Sequence, residues 1–394
     1  MGNYHYKFTY IENLEKECLE NLKTIQRDKL DVGDSFKKWK GGILYKIRQS
    51  GWIQSLFYYL RLDYMLHILS KSYKAEIEKA LNDYLSEKEV NNIPLRRKLR
   101  KDIIRCDRLI MARPYEYFFL GLRNLSNSRR KEFVTDKYML QRMSMTGKRK
   151  LHDVELNDKY NFYLLAKPFF QRKVVKLTST MSFSDFSAIV SSSPKMIFKP
   201  TIFGCGQGIF IADLTSEEKL RKTYKKIVNF GGEWVAEDII IQSDEMAQWN
   251  KSSVNTVRLL TFCNSGGIHI ATSFMRTGRF GSMVDNGGQG GIFAAIDGKS
   301  GKIITDGHDE MGKSYKSHPD SNKIYLGWKI PRWEELKETA IALHSTVFPY
   351  MKYIGWDFAL THAGWVVIEG NWGQFLHQSA LGYGLRPVFD KYIK

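Results

Sequence analysis

The chain has 394 residues, 43% of them hydrophobic, an ordinary globular content that excludes wholesale disorder and allows two or three domains with sizeable cores. Lys and Arg number 60 against 42 Asp and Glu, a net charge of +18. That balance favours anionic partners such as nucleotides, acidic glycans, membrane headgroups or nucleic acid, without choosing among them.

Four cysteines, Cys18, Cys106, Cys205 and Cys263, stand far apart with no CxxC pair, so neither a disulfide framework nor a zinc site is indicated. The first residues lack the apolar core of a signal peptide. No apolar run reaches the roughly 18–20 residues that a membrane-spanning helix needs. A reducing cytoplasm is the expected compartment.

In chain order, residues 1–132 read as a helical, basic region. Ile11, Leu14, Cys18, Leu22 and Ile25 recur at steps of three and four, as on one helix face. A second helix is predicted over Gly51 to Leu69, dense in Trp52, Phe57, Tyr58, Tyr59 and Tyr64. Beside basic runs it reads either as a peripheral membrane or lipid-linked-substrate element or as an amphipathic core helix. A third helix is predicted over Lys74 to Asn91, and Pro94 opens the basic run Arg96 to Lys101.

From Thr135 the texture changes to short β-rich segments punctuated by glycine. Strands are predicted at Lys195–Pro200, Ile209–Ala212, Glu233–Glu237, Thr256–Phe262, Ile268–Arg276, Gly291–Ile296 and in a closing pair near the C-terminus. Helices are predicted over Ser216 to Val228 and Trp333 to His344. Antiparallel strands with flanking helices make this an α+β arrangement. The divisions expected are 1–132, 133–240 and 241–394.

Several segments carry candidate chemistry. Gly204, Gly206 and Gly208 form a loop between two strands, where backbone N–H groups can approach a triphosphate without side-chain obstruction. Lys199 directly precedes it, an order unlike the GxxxxGK[ST] loop. Glu237, followed by Ile239, Ile240 and Ile241, suits an adenine edge with apolar walls, or is a core strand ending in an acid. Arg258 lies mid-strand and needs an anionic partner, either a ligand or a structural carboxylate. Arg276 and Arg279 add cations, followed by a polar glycine loop from Asp285 to Gly291. Near the C-terminus, Glu369 and Asn371 share a strand face, with Asp357 at the matching place on the preceding strand. Such oxygens suit a hard divalent cation that also holds phosphates.

The order lysine, glycine loop, acidic hinge, strand arginine and D…E-x-N resembles the ATP-grasp superfamily. In that fold two α+β lobes clasp ATP. The resemblance is to the sugar-transfer-associated ATP-grasp proteins. It rests on SVNTVRLLTF at residues 253–262, SFMRTGRFGSMVDNGGQGGIFAAID at 273–297, His318-Pro319-Asp320, GWDFAL and VVIEGNWG, and covers about 133–394.

The resemblance implies roles. Lys137 and Lys199 would contact phosphates, with the Gly204, Gly206 and Gly208 loop over them. Glu237 and Ile240 would line the adenine hinge, and Asp244 or Glu245 would hold the ribose. Arg258 and Arg276 would face the γ-phosphate and an acyl-phosphate. Asp357, Glu369 and Asn371 would be Mg²⁺ ligands. Many amino-acid ligases of the superfamily carry an arginine two residues before the first metal-binding aspartate. Here that position is Gly355.

The implied activity is ATP- and Mg²⁺-dependent ligation of a carboxylate to an amine through an acyl-phosphate, on a cell-surface glycan precursor or a lipid-linked one. A kinase on the same fold and a non-catalytic nucleotide-binding module are the alternatives. Nucleic acid is not an expected partner, because the N-terminal aromatics follow helical spacing and form no stacking platform. His318 and His377 read as substrate contacts or structural histidines. Trp356 and Trp372 read as sugar-stacking rings or walls.

Overall fold

The computed structural model describes residues 68–144, 155–202, 207–282, 285, 290–371 and 375–393. The helix expected over 11–25, nearly all of that over 51–69, Gly204 and Gly206, Trp372 and most of the 286–291 loop lie outside the described residues.

The described residues begin with a helical layer: α1 (Lys71–Tyr84), α2 (Glu87–Val90), α3 (Ile93–Ile110), α4 (Pro114–Phe119), α5 (Asn127–Arg130) and α6 (Asp136–Ser144). The single helix expected over 74–91 is two. Leu85 ends α1 with its N–H on Leu81 O, and Ser86 starts α2 through a capping box with Glu89. In α3, Asn92 caps the start and Pro94 occupies the first turn, where its missing N–H is harmless. Leu99, Ile103, Cys106 and Ile110 form the buried stripe. Arg96 and Arg100 from the basic run turn back onto Glu78, at 2.7 and 2.8 Å.

Next come α7 (Lys159–Phe170), β1 (Val174–Thr178), α8 (Phe183–Val190), β2 (Lys195–Pro200), β3 (Phe210–Asp213), α9 (Glu217–Phe230), β4 (Glu233–Asp238) and α10 (Asp244–Ala247). The strands form an antiparallel sheet in the order β1-β4-β2-β3. Helices α8 and α9 pack on it around Phe186, Phe198, Ile227 and Trp234. The β-rich reading from Thr135 is corrected here, because α6, α7 and α8 all interrupt it. Asp158 caps α7 through Tyr160 and Asn161, and Phe162, Leu165, Ala166 and Phe170 make its buried face. Pro168, in the last turn, masks this helical signal.

The second sheet holds β5 (Thr256–Asn264), β6 (Gly267–Thr277), β7 (Ile292–Ile296), β8 (Gly307–His308), β9 (Ser314–Tyr315), then, after α11 (Trp333–Val347), β10 (Tyr353–Leu360) and β11 (Trp365–Asn371). Its order is β11-β10-β5-β6-β7-β8-β9, antiparallel throughout. Because strand side chains alternate, this sheet carries two different faces. Val257, Leu259, Ile354, Trp356, Phe358 and Val367 form one core with α7 and α11. Leu260, Phe262, Phe274, Phe293 and Tyr353 form another with the helical layer. The closing helices α12 (Gln378–Leu381) and α13 (Arg386–Tyr392) join that layer. Gln378 ties them to it, accepting from the Val134 and Leu385 amides at 2.9 Å each.

Among the described residues, no helix is long and apolar enough to cross a membrane.

Candidate functional site

The two sheets contribute one cluster of charge each. On the small sheet, β2 and β4 pair Ile197 with Glu237 and Lys199 with Val235. Lys199 and Glu237 are therefore diagonal neighbours on one face, and Lys199 Nζ donates to Glu237 Oε1 at 2.8 Å. Arg172 grips the other oxygen with Nε at 2.9 Å and Nη2 at 2.7 Å. Burial alone would raise the Glu237 carboxyl; Lys199 and then Arg172 outweigh it and hold the pKa at about 2. Glu237 is thus an ionised, buried anchor for two cations, not an isolated acceptor at a base edge.

A third basic group completes this cluster. Lys159, in the first turn of α7, lies in the field of Glu369, Lys199 and Glu237. Its backbone N–H bonds Thr201 O at 3.0 Å, just past β2. Burial lowers the pKa of its ammonium, and Glu369 opposes that shift. Three basic side chains against one carboxylate leave surplus positive charge, suited to phosphate oxygens.

On the large sheet, Asp357 of β10 stands directly opposite Arg258 of β5 and Glu369 of β11. Arg258 donates to Asp357 through both Nε and Nη2, the latter at 2.5 Å. Arg276 Nη2 donates to the same carboxylate at 2.8 Å. Burial would raise the Asp357 carboxyl, but Arg258 and Arg276 hold it at about 2. Arg276 also donates through Nε to Thr256 Oγ1 at 3.0 Å. Thr256 in turn donates to Asp285, the described start of the polar loop. Arg258 and Arg276 were expected to face phosphates with Asp357 on the metal; here the three are bonded to one another.

Glu369 owes its place to a register shift. Trp365 and Val367 point into the α7–α11 core, and simple alternation would send Glu369 there too. Between the Phe358–Val367 and Asp357–Glu369 pairs the register slips by one, leaving Ile368 as an extra residue. The bulge turns Glu369 and Asn371 onto the Asp357 face, opposite Asp357 and Gly355 respectively. Gly370 between them faces the core, where an added Cβ would lie 3.0 Å from both Trp356 and Leu156. The Glu369 side chain keeps 44% exposure. Even so, the protein packed round it and the neighbouring Asp357 charge raise its pKa.

This donor set fits a hard divalent cation. It is all oxygen, and the Asp357–Glu369 repulsion is what a cation would relieve. The arginines engage both Asp357 oxygens, so Glu369, 44% exposed, is the more open of the two carboxylates. Among the described residues, no three His, Cys, Asp or Glu side chains group as a metal site. This set has two carboxylates and one amide.

The remaining expected residues are placed as follows. Gly208 has φ +73° and lies against Pro200, where a Cβ would approach to 2.9 Å. Ile240 is half-buried after β4, and Asp244 and Glu245 are exposed in α10. This hinge is pinned to the large sheet, since Ser243 N donates to Leu360 O at 2.8 Å. Gln242 Oε1 accepts from the backbone and side chain of Asn255, at 3.0 Å each.

Lys137 is seated elsewhere, 3.2 Å from Asp107 and over the Tyr73 ring in the helical layer. His318 and His377 are fully buried. His318 bonds Gly278 O at 2.9 Å, while His377 stacks on Phe274 and its pKa is held at about 3 by burial. Trp356 is a core side chain bonded to Thr261.

Sequence reasoning missed Lys159 and Arg172. Asp-Lys at 136–137 and Asp-Lys at 158–159 each stand at a helix start, and Lys159 belongs to the second. Arg172 carried no signal beyond a cation ahead of a strand.

A family model described as sugar-transfer associated ATP-grasp matches residues 151–392. Solved structures that match part of the chain include D-alanyl-alanine synthetase A from Vibrio cholerae, with 13% identity over 61% of this chain and 66% of that one, at a TM-score of 0.39. VanG D-Ala:D-Ser ligase from Enterococcus faecalis matches at 14% over 64% and 68%, with a TM-score of 0.40. The L-amino acid ligase from Bacillus licheniformis matches at 12% over 62% and 49%, with a TM-score of 0.37. The chain spans just under two thirds of the first of these relatives. No curated protein matches it.

Proposed function

Since the chain belongs to the sugar-transfer associated ATP-grasp family, we propose that it is an ATP- and Mg²⁺-dependent ligase joining a carboxylate to an amine, on a glycan or glycan precursor. The observation that carries this reading is a juxtaposition. Lys159, Arg172 and Lys199 of β2 form a basic cluster beside the small sheet, and Glu369 and Asp357 form an acidic pair on the large one. Phosphates suit the first, and the second would hold a divalent cation that offsets phosphate charge.

In this mechanism Lys199 and Lys159 hold the phosphates, with the hinge from Glu237 through Ile240 to Asp244 along the nucleoside. Glu369, Asn371 and Asp357 would hold Mg²⁺, which when bound offsets phosphate charge. The substrate carboxylate oxygen forms a bond to the γ-phosphorus as the bond to ADP breaks. The amine then forms a bond to the acyl carbon, phosphate leaves and the amine loses a proton. Arg258 and Arg276 contribute preorganised positive charge to the oxygens that gain charge in both steps. Pairing with Asp357 fixes these guanidiniums before substrate arrives.

The glycan part rests on the family description alone. The test is product analysis with sugar-acid, amino-acid and amine pools. ADP and free phosphate released only when acid and amine are both present supports the ligase. Phosphate retained on a hydroxyl would make the protein a kinase.

A further inference from the structure

We propose that Arg172 is a positioning residue that latches the small sheet to the bulge carrying Glu369. The proposal rests on the nucleotide-site reading above. Arg172 lies in the short link between α7 and β1, after Gln171 turns the chain through a left-handed φ of 48°. Its guanidinium spends its donors on both sheets at once. Nε and Nη2 take Glu237 of β4, while Nη1 takes Val367 O of β11 at 2.8 Å and Phe170 O at 3.1 Å. The Phe170 ring lies 4.4 Å beneath it, and only 6% of the side chain is exposed.

The position of the Val367 bond matters. Val367 is the last residue in regular register before the extra Ile368, and among the described residues β11 is the edge strand of its sheet. A bulge on an edge is held by few ladder bonds. A charge-assisted bond from a rigid fork supplies an additional restraint. The same fork grips the carboxylate that Lys199 shares. A ligand that draws Lys199 toward itself leaves Glu237 relying more on Arg172. The small-sheet cluster and the Glu369 bulge are thereby mechanically linked. Lysine in this position could reach Glu237 or Val367 O, but its single ammonium lacks the fork that spans both.

The test is amide hydrogen exchange along β11, with and without ATP, in EDTA so that no divalent cation contributes. In the wild type, ATP is expected to slow exchange at residues 367–370. In Arg172→Lys, ATP should still bind but give no added protection there. Basal exchange at those amides should be about tenfold faster, the factor expected for losing one hydrogen bond to a charged group. Glu237→Gln keeps the Arg172–Val367 bond while weakening the other arm. It should therefore retain basal protection and lose the ATP-induced increment, which covers the case of a poorly folded Arg172→Lys. ATP-induced protection equal to wild type in either variant overturns the latch. If wild-type protein binds no ATP in calorimetry, the nucleotide-site reading fails instead.

Discussion

Asp357 and Glu369 oppose each other across β10 and β11 because Ile368 is an extra residue in the ladder between them. One residue less, and Glu369 would enter the core that holds Trp356 and Val367. The acidic half of the site is therefore a matter of register, and it depends on the packing beneath it. Gly370→Ala tests this, since the new methyl meets Trp356 and Leu156 at 3.0 Å. Overpacking of this kind costs about 1–3 kcal/mol. Gly370→Ala should lower the melting temperature measurably, and more than Gly382→Ala, whose added Cβ meets nothing within 4 Å but is strained by its φ of +69°.

The lysines should separate by location. Lys159→Ala and Lys199→Ala are each expected to weaken ATP binding about tenfold or more, in line with loss of a charge-assisted bond. Lys137→Ala, which removes a partner of Asp107 in the helical layer, should leave ATP affinity unchanged. Arg276→Ala should weaken ATP less than Lys199→Ala does. Calorimetric titration reads all four, and the reverse order would move the phosphates to the large sheet.

Acid stability follows from Glu237 and Asp357. Both have folded pKa values of about 2, against ordinary values of 4.5 and 3.8. A carboxyl depressed by folding contributes its full stability above its unfolded pKa and loses it as pH falls toward the folded one. Unfolding free energy should therefore drop between about pH 4.5 and pH 2. Asp357→Asn should flatten part of that slope. At neutral pH it should cost about 3–5 kcal/mol, because Arg258 and Arg276 lose a buried partner. Denaturant titrations across this pH range check both.

Much of this arrangement is legible from residue patterns. The alternating strands over 195–200, 233–238, 256–264 and 292–296 emerged with their ends moved by two residues or fewer, because glycine and polar turns bound them. Asp357, Glu369 and Asn371 were grouped correctly on one face. The reason was incomplete, since no residue type marks Ile368 as a bulge. Helix α7 was hidden by Pro168 and by an aromatic-rich sequence with a weak polar face. The Asp-Lys pairs at 136–137 and 158–159 are locally equivalent, and only the tertiary position of α7 brings Lys159 rather than Lys137 beside Lys199. Arg258 was recognised as needing an anion, but sequence could not say that a residue 99 positions away supplies it.

The measurement that bears most directly on the site is thermal melting of wild type and Glu369→Gln, each with ATP in EDTA and with ATP plus Mg²⁺. Burial and Asp357 raise the pKa of Glu369, so its ionised form is strained near neutral pH. Removing that charge should leave the ligand-free melting temperature unchanged or slightly higher. Wild type should gain a further increment from Mg²⁺ beyond that from ATP alone, and Glu369→Gln should gain none. A full Mg²⁺ increment in Glu369→Gln would contradict the assignment of the Asp357–Glu369 pair as the cation site.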